Sequence, residues 1–456
     1  MNRQRLTLYL SVSLLAVMLS LSGCDDKQTV NNTLISDPEA AIAQARQEAV
    51  DDEAASLWQL EDQRDDPLDA EARAAINELS RRQMARVAGD YSFEPPPPPP
   101  VSRPGQLLNI PAVSSPRFTV SDRNWSATVG ELNIAMWSQD KLAAFSLSID
   151  DNHVQDHTFW QDLGDQYGWR WTWFVIANQT GWASHDHWGH WQAALDKGHD
   201  IQTHTYSHLC DALFYTYREY RQSQAVINQN LDGAKVVTMA YPFGMNTNKT
   251  GSPCEPLDTE RTANSRDEAA KHFLAVRDVY GALSHPGRID YLKVPSVSAA
   301  RNFFNAAAHW ANFDTVLNPG SANFRTWYVT HFHGLYGDDA RQYVQDVLAH
   351  VKSKENDVWV GTFTEVAKYG QEYATAALSN IQVGSSDVRF ELKDQMNDSW
   401  FDQPLTVKLR LPDGWSGTLN ATQGGVGIPV RPVLHNSQAY ALIDAVPDRG
   451  LVIVSF

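Results

Sequence analysis

Gly198-His199-Asp200-Ile201-Gln202-Thr203-His204-Thr205-Tyr206-Ser207-His208 decides how this chain of 456 residues is read. A short strand signal over 198–201 runs straight into His204, so His204 and His208 sit together where a strand ends. The same arrangement repeats outward along the chain. The apolar run 142–149 ends in Asp150-Asp151, residues 235–240 end in Tyr241-Pro242-Phe243-Gly244, and 327–330 end in His331-Phe332-His333. Apolar strands that each finish in polar groups, with helix-length segments between them, predict an α/β fold on a parallel barrel. Its reactive groups would gather at the C-terminal ends of the strands.

An HxxxH spacing is weak evidence by itself in a chain with 15 His, and there are two such pairs, His153/His157 and His204/His208. Position separates them: the second follows a strand directly, while the first opens a helix after the acidic pair. Two neutral imidazoles and one carboxylate make a divalent-metal site of the zinc type, with coordination positions left for water and substrate. Asp150-Asp151 can supply the carboxylate. Adjacent acids closing the apolar run 143–149 repel each other, and burying them is costly unless a cation compensates. A solvent-exposed turn with two Asp is the plainer alternative for that pair.

Four segments together resemble the polysaccharide deacetylase family (carbohydrate esterase family 4, the NodB homology domain). Ser148-Ile149-Asp150-Asp151 is similar to its first motif, usually Thr-Phe-Asp-Asp, and residues 198–208 to its second, at the expected distance downstream. Tyr241-Pro242-Phe243-Gly244 resembles the third motif and Thr330-His331-Phe332-His333-Gly334 the last. The resemblance spans roughly 140–370 and implies a distorted (β/α)7-type barrel. It also implies metal-dependent removal of acetyl groups from a polysaccharide. Asp151, His204 and His208 would hold the metal, with Zn2+ the expected ion, and Asp150 would be the general base. A backbone N–H at Phe243 would face the oxyanion, and His333 would be the acid that protonates the departing sugar nitrogen or oxygen. His331, two residues earlier on the same side of an extended strand, is the alternative acid.

The chain departs from the family pattern in places. Ala240 stands where the third motif normally carries an Arg that orients the base, and Arg277 sits where some relatives carry one and is the expected substitute. Asn152 replaces the usual Gly after the acidic pair. The Asp that tunes the acid His has no clear place; Asp278 and Asp290 are the candidates. His185-Asp186-His187 with His190 reads as a polar loop along a substrate groove rather than a second metal site. In the same Trp-rich stretch, Trp182, Trp188 and Trp191 are candidates for stacking on sugar rings.

Residues ahead of the barrel have a different texture. Arg3 and Arg5 precede the apolar run 6–21, which is short for a membrane span and reads as a targeting segment. Leu21-Ser22-Gly23-Cys24 looks like a bacterial lipobox, in which Cys24 becomes the lipidated first residue of the mature protein. The expected location is the cell envelope, anchored on the periplasmic side of the inner membrane or in the outer membrane; Asp25 resembles an inner-membrane retention signal. Residues 25–104 hold 17 acids and 8 bases, so much of the net charge of −17 is local. That charge argues against nucleic acid as a partner, and nothing points to a protein partner. Helical sequence there leads to six consecutive prolines at 95–100, a stiff extended spacer.

Beyond residue 375 the period becomes two, as in Val388-Arg389-Phe390-Glu391-Leu392, and turns separate short strands to the end. The expected divisions are 1–24, a lipoprotein signal peptide; 25–105, a helical and Pro-rich spacer; 106–378, the deacetylase-like barrel; and 379–456, a β-sandwich accessory domain. With Cys24 assigned to lipid, Cys210 and Cys254 remain, and an exported compartment permits a disulfide between them. The expected substrate is an N-acetylated amino-sugar polymer. An O-acetyl esterase of the xylan type is the alternative, and a tethered glycan-binding protein on a disabled scaffold is a third.

Overall fold

The computed structural model describes residues 106–110, 124–180, 188–208, 217–244, 259–279, 283–284, 286–298, 305–335 and 337–456. The expected signal peptide with Cys24 and the spacer at 25–105 lie outside the described residues, as do Cys210, Cys254, Trp182 and the run 185–187. No described helix is long and apolar enough to cross a membrane.

The eight residues Ala143–Asp150 are buried end to end, which marks a strand covered on both faces rather than on one. Numbered after a short first strand β1 (Leu132–Ile134), this strand is β2. It is followed by β3 (Thr172–Val175), β4 (Asp200–Thr203), β5 (Thr238–Ala240) and β6 (Ala275–Asp278). Then come β7 (Val294–Pro295), β8 (Val297–Ser298) and β9 (Trp327–Phe332). Every pairing among β2 to β9 is parallel, in the order β7-β6-β5-β4-β3-β2-β9-β8. Only Ser296 separates β7 from β8, so one extended segment, 294–298, pairs with β6 at one end and β9 at the other. The ring is thereby completed, and the α/β barrel expected from the strand-end pattern is present. A further strand, β10 (Val358–Val360), pairs with the N-terminal half of β2, where β3 does not reach.

Alternation along β2 divides two cores. Ala143, Phe145, Leu147 and Ile149 face outward and pack with Trp160 and Leu163 of helix His157–Tyr167 and with Val344, Val347 and Val351 of helix Gly337–Ser353. Helix His157–Tyr167 stops at Gly168, whose φ of 71° a side chain would strain, and whose N–H closes on Gly164 O. Ala144 faces the barrel interior with Phe174, Ala240, Trp327 and Val329.

Helix Phe363–Thr375 plugs the N-terminal end of the barrel. It opens with a capping box in which Thr362 and Glu365 satisfy each other's backbone N–H groups. The Phe363 N–H donates to Thr172 Oγ1, Thr364 and Thr238 hydroxyls meet at 3.0 Å, and Gln371 Nε2 donates to Leu274 O. With that end plugged by apolar side chains, the polar strand ends are left at the opposite mouth.

The C-terminal region is a sandwich of two antiparallel sheets over one apolar core. One sheet runs β11 (Ala377–Val383), β12 (Asp387–Lys393), β18 (Leu451–Ser455), β14 (Asn420–Gln423) and β15 (Val426–Gly427). The other is β1, β13 (Leu405–Arg410), β17 (Gln438–Ala445) and β16 (Val430–His435). Here the expected boundary at 106 needs correction. Leu132–Ile134 pairs antiparallel with Val407 to Leu409, so this segment belongs to the sandwich and not to the barrel. The physical reason is an open edge: β13 exposes unpaired backbone groups on that side, and β1 satisfies them. Leu107 likewise bonds Gln395 O. Tyr369 ties barrel plug and sandwich together, donating to Ala135 O and accepting from the Thr406 N–H.

Candidate active site

Asp150 is the last residue of β2, and Asp151 follows with φ 65°. Thr205 (φ 68°), His208 (φ 53°) and Phe243 (φ 60°) share this left-handed backbone. Such conformations cost energy in non-glycine residues and gather where side chains must be aimed rather than merely packed. All four follow strand ends on the same barrel mouth.

The three expected metal-binding residues come together. Ligand atoms of Asp151, His204 and His208 lie within 4.8 Å of one another. Asp151 Oδ1 stands 3.8 Å from His204 Nε2 and 3.5 Å from His208 Nε2. His204 Nδ1 is 2.9 Å from Ala240 O, and a carbonyl only accepts, so Nδ1 carries the hydrogen and Nε2 presents a lone pair. Buried Asp151 Oδ1 has no hydrogen-bond partner. A buried carboxylate oxygen without a donor, facing two imidazole nitrogens, fits a divalent cation. Burial works to raise the Asp151 carboxyl, but His153, His208, His333 and His204 outweigh it and hold it well below the usual range. Burial also lowers His204, keeping the imidazole neutral as a ligand must be. Among the described residues one other group could be read as a cation site, Asp394, Asp398 and Asp448 in the sandwich, and it contains no imidazole.

Asp150 lies deeper. Arg277 Nη2 donates to its Oδ2, and the guanidinium also reaches Ser296 Oγ at 3.3 Å and lies over the Phe174 ring at 5.5 Å. Oδ1 of Asp150 is buried without a hydrogen-bond partner. Arg277 is therefore placed as expected, and the register explains how. Ala240 in β5 pairs directly with Arg277 in β6, so the guanidinium enters at the same level of the barrel, one strand over.

His333 is 29 % exposed, with Nε2 3.9 Å from Asp150 Oδ2, whereas His331 is buried and its Nδ1 meets Ser296 Oγ at 2.7 Å. Since Ser296 Oγ donates to Asp278 O, it accepts from His331. Of the two histidines, His333 is the one that faces the mouth. Asp278 thus reaches His331 through its carbonyl and Ser296, and Asp290 is taken by Arg266, so neither carboxylate is seen on His333. The turn of Phe243 is held by Gly244 N–H on Tyr241 O, and its ring meets His208 edge-on at 4.6 Å.

One expectation is overturned. Trp191 is fully buried, edge-on to His157 at 4.3 Å and part of the outer core, so its faces are covered by protein and no sugar can stack on it. Its helix, Trp188–Asp196, turns that side inward, while Trp188 is half-buried against the same core.

Several residues near the site carried no sequence signal. Asn152 accepts from the Ile176 N–H and donates to Ile176 O, fastening the acidic turn to the end of β3. Buried Glu219 accepts the Ser207 N–H at 2.7 Å and so braces the turn before His208. Departure from the family pattern at 152 was the one available hint.

Residues 141–257 match the polysaccharide deacetylase family model. The polysaccharide deacetylase match takes in Asp150, Asp151, His204, His208 and Phe243; Arg277 and His333 lie beyond it. A gellan lyase from a Bacillus species is 29 % identical over 380 residues, covering 76 % of this chain and 14 % of that protein. The chain thus spans about a seventh of the length of that relative. Among solved structures, chitin deacetylase from Colletotrichum lindemuthianum is 15 % identical and covers 50 % of this chain and 88 % of its own, with TM-score 0.33. The Xyl-CE4 domain of a multidomain xylanase from the hindgut metagenome of Trinervitermes trinervoides is 13 % identical, covering 49 % of this chain and 89 % of its own, with TM-score 0.33.

Proposed function

We propose that this protein is a metal-dependent polysaccharide deacetylase acting outside the cytoplasm, with N-acetyl groups of an amino-sugar polymer as its substrate. The observation that carries this is the grouping of Asp151, His204 and His208 beside an Asp150 whose Oδ2 is held by Arg277. Asp151, His204 and His208 would hold a divalent cation, Zn2+ by the nature of the donors. When bound, such a cation acidifies water and polarises a carbonyl oxygen.

The Asp150 carboxylate, whose Oδ2 stands 3.9 Å from both His204 Nε2 and His333 Nε2, takes the proton of the attacking water, while Arg277 keeps the carboxylate fixed. Charge developing on the acetyl oxygen is met by the backbone N–H of Phe243, set by its left-handed turn. His333 Nε2 protonates the leaving sugar nitrogen as the bond to the acetyl carbon breaks, giving acetate and a free amine. We further propose that Leu21-Ser22-Gly23-Cys24 anchors the protein to a bacterial membrane through lipid on Cys24, which is supported by the apolar run before it.

The test is acetate release by the full chain from a panel of N- and O-acetylated glycans, beside Asp151→Ala and His204→Ala. Release from the amide substrates that both variants abolish is expected. Release from O-acetyl esters alone would replace the amide with the ester. Glycan binding retained by both variants, with no release by the native chain, would make this a binding protein.

A further inference from the structure

Asp151 divides its two oxygens between different neighbours. Oδ1 faces His204 and His208, whereas Oδ2 stands 3.8 Å from His153 Nε2. His153 itself is not part of the close group formed by the ligand atoms of the other three residues. It is buried, and two contacts fix its ring. Gln155 Nε2 lies 3.3 Å from His153 Nδ1, and an amide nitrogen only donates, so Nδ1 accepts and the ring hydrogen sits on Nε2, toward Asp151. On the other side the ring is pressed to the backbone of the loop after His333. A Cβ at Gly334 would come within 2.7 Å of His153 Nδ1 and 2.9 Å of its Cγ. Three residues on, Asp156 accepts the Leu335 N–H at 2.7 Å, so the 153–156 turn grips that loop twice.

We propose that His153 is a positioning residue of the metal site: its Nε2–H fixes Oδ2 of Asp151, turning Oδ1 to the cation shared with His204 and His208. This rests on the metal-binding reading of those three residues. A gap of 3.8 Å is about 0.8 Å longer than a usual N–H···O bond, so the contact between His153 and Asp151 is electrostatic. Partners of this kind orient the carboxylate and raise its affinity as a ligand. Gly334 is the counterpart of His153, because only a residue without a side chain leaves space for the ring.

The experiment is calorimetric Zn2+ titration of the full chain against a competing chelator, with circular dichroism to check folding and X-ray absorption to count imidazole ligands. His153→Ala should weaken Zn2+ binding about 10- to 100-fold, and His153→Gln, which keeps an N–H at the same place, should recover most of it. Gly334→Ala, which displaces the ring without touching Asp151, should also weaken binding. The imidazole count should stay at two in every variant. Folded His153→Ala with affinity within about twofold of the native chain would overturn the proposal, as would unchanged affinity in Gly334→Ala if His153→Ala does not fold. Loss of one imidazole in His153→Ala would make His153 a ligand and overturn it as well. A native chain that binds no Zn2+ would instead overturn the metal reading, and this proposal with it.

Discussion

Arg277 and Asp150 meet inside the barrel with both side chains essentially without exposure, the guanidinium donating to Oδ2 from β6, which β3, β4 and β5 separate from β2 in the sheet. A lone carboxylate at that depth would be strongly penalised, and the pairing fixes the carboxylate for the proton transfer proposed for it. Arg277→Ala should lower kcat by about 100-fold or more while Zn2+ affinity holds, because the base is mobile but the ligands are intact. Ala240→Arg in the same variant should restore part of the loss, since positions 240 and 277 share a register. Steady-state kinetics with parallel metal titrations check both. Unchanged turnover in a folded Arg277→Ala would remove Arg277 from the account.

His333 and His331 can be separated by the same kinetics. His333→Ala should cut kcat by about 100-fold with little change in KM, as expected of a lost general acid. His331→Ala should act mainly through stability, because its ring is buried and bonded to Ser296.

Asp140 and Lys408 form a buried ion pair at 2.9 Å that joins the segment before β2 to β13, with the ammonium also 4.3 Å from the Trp125 ring centroid. Asp140→Ala leaves a buried cation and should cost roughly 3 kcal/mol in urea unfolding. The double variant Asp140→Ala/Lys408→Met should recover most of that loss, since the pair's charges were offsetting each other's desolvation.

His309 is held neutral by burial and secondarily by His350, which bring its pKa down to about 4, and it lies between the hydroxyls of Tyr328 and Tyr343. Unfolded, it would titrate near 6.5. Its contribution is therefore complete above pH 6.5 and is lost as pH falls toward 4. Between pH 7 and 5 His309 should account for about 2 kcal/mol of the decline in unfolding free energy. His309→Gln should flatten that part of the profile, and an unaltered slope would assign the acid sensitivity to other groups.

The barrel was legible where a strand is a continuous apolar run. β2 and β9 announce themselves because parallel strands are buried on both faces. Val294 to Ser298 does not, since Pro and two Ser interrupt it, yet it completes the ring. β1 was equally hidden: three residues are too few to show a period, and what defines it is the open edge of β13. In the site, two carboxylates and paired imidazoles stand out by their places at strand ends, and Arg277 only through the resemblance, as the Arg that some relatives carry there. Trp191 misled because composition does not show which Trp of a helix face lies fully under the core: Trp188 and Trp191 share one face of their helix, and only Trp191 is wholly covered. Asn152 and Glu219 act through backbone groups 24 and 12 residues away, and His153 through the way the chain turns it back on Asp151; residue spacing carries no trace of such contacts.

Asp151, His204 and His208 are proposed to hold the ion on which acetyl removal depends. The most direct measurement is acetate release from an N-acetylated glycan by the full chain before chelation, after chelation, and after Zn2+ is returned, beside an Asp150→Asn variant. The account predicts release that stops on chelation, returns with Zn2+, and is absent from Asp150→Asn although that variant still binds Zn2+. Release that continues undiminished in metal-free protein, or at native rate in Asp150→Asn, would contradict it.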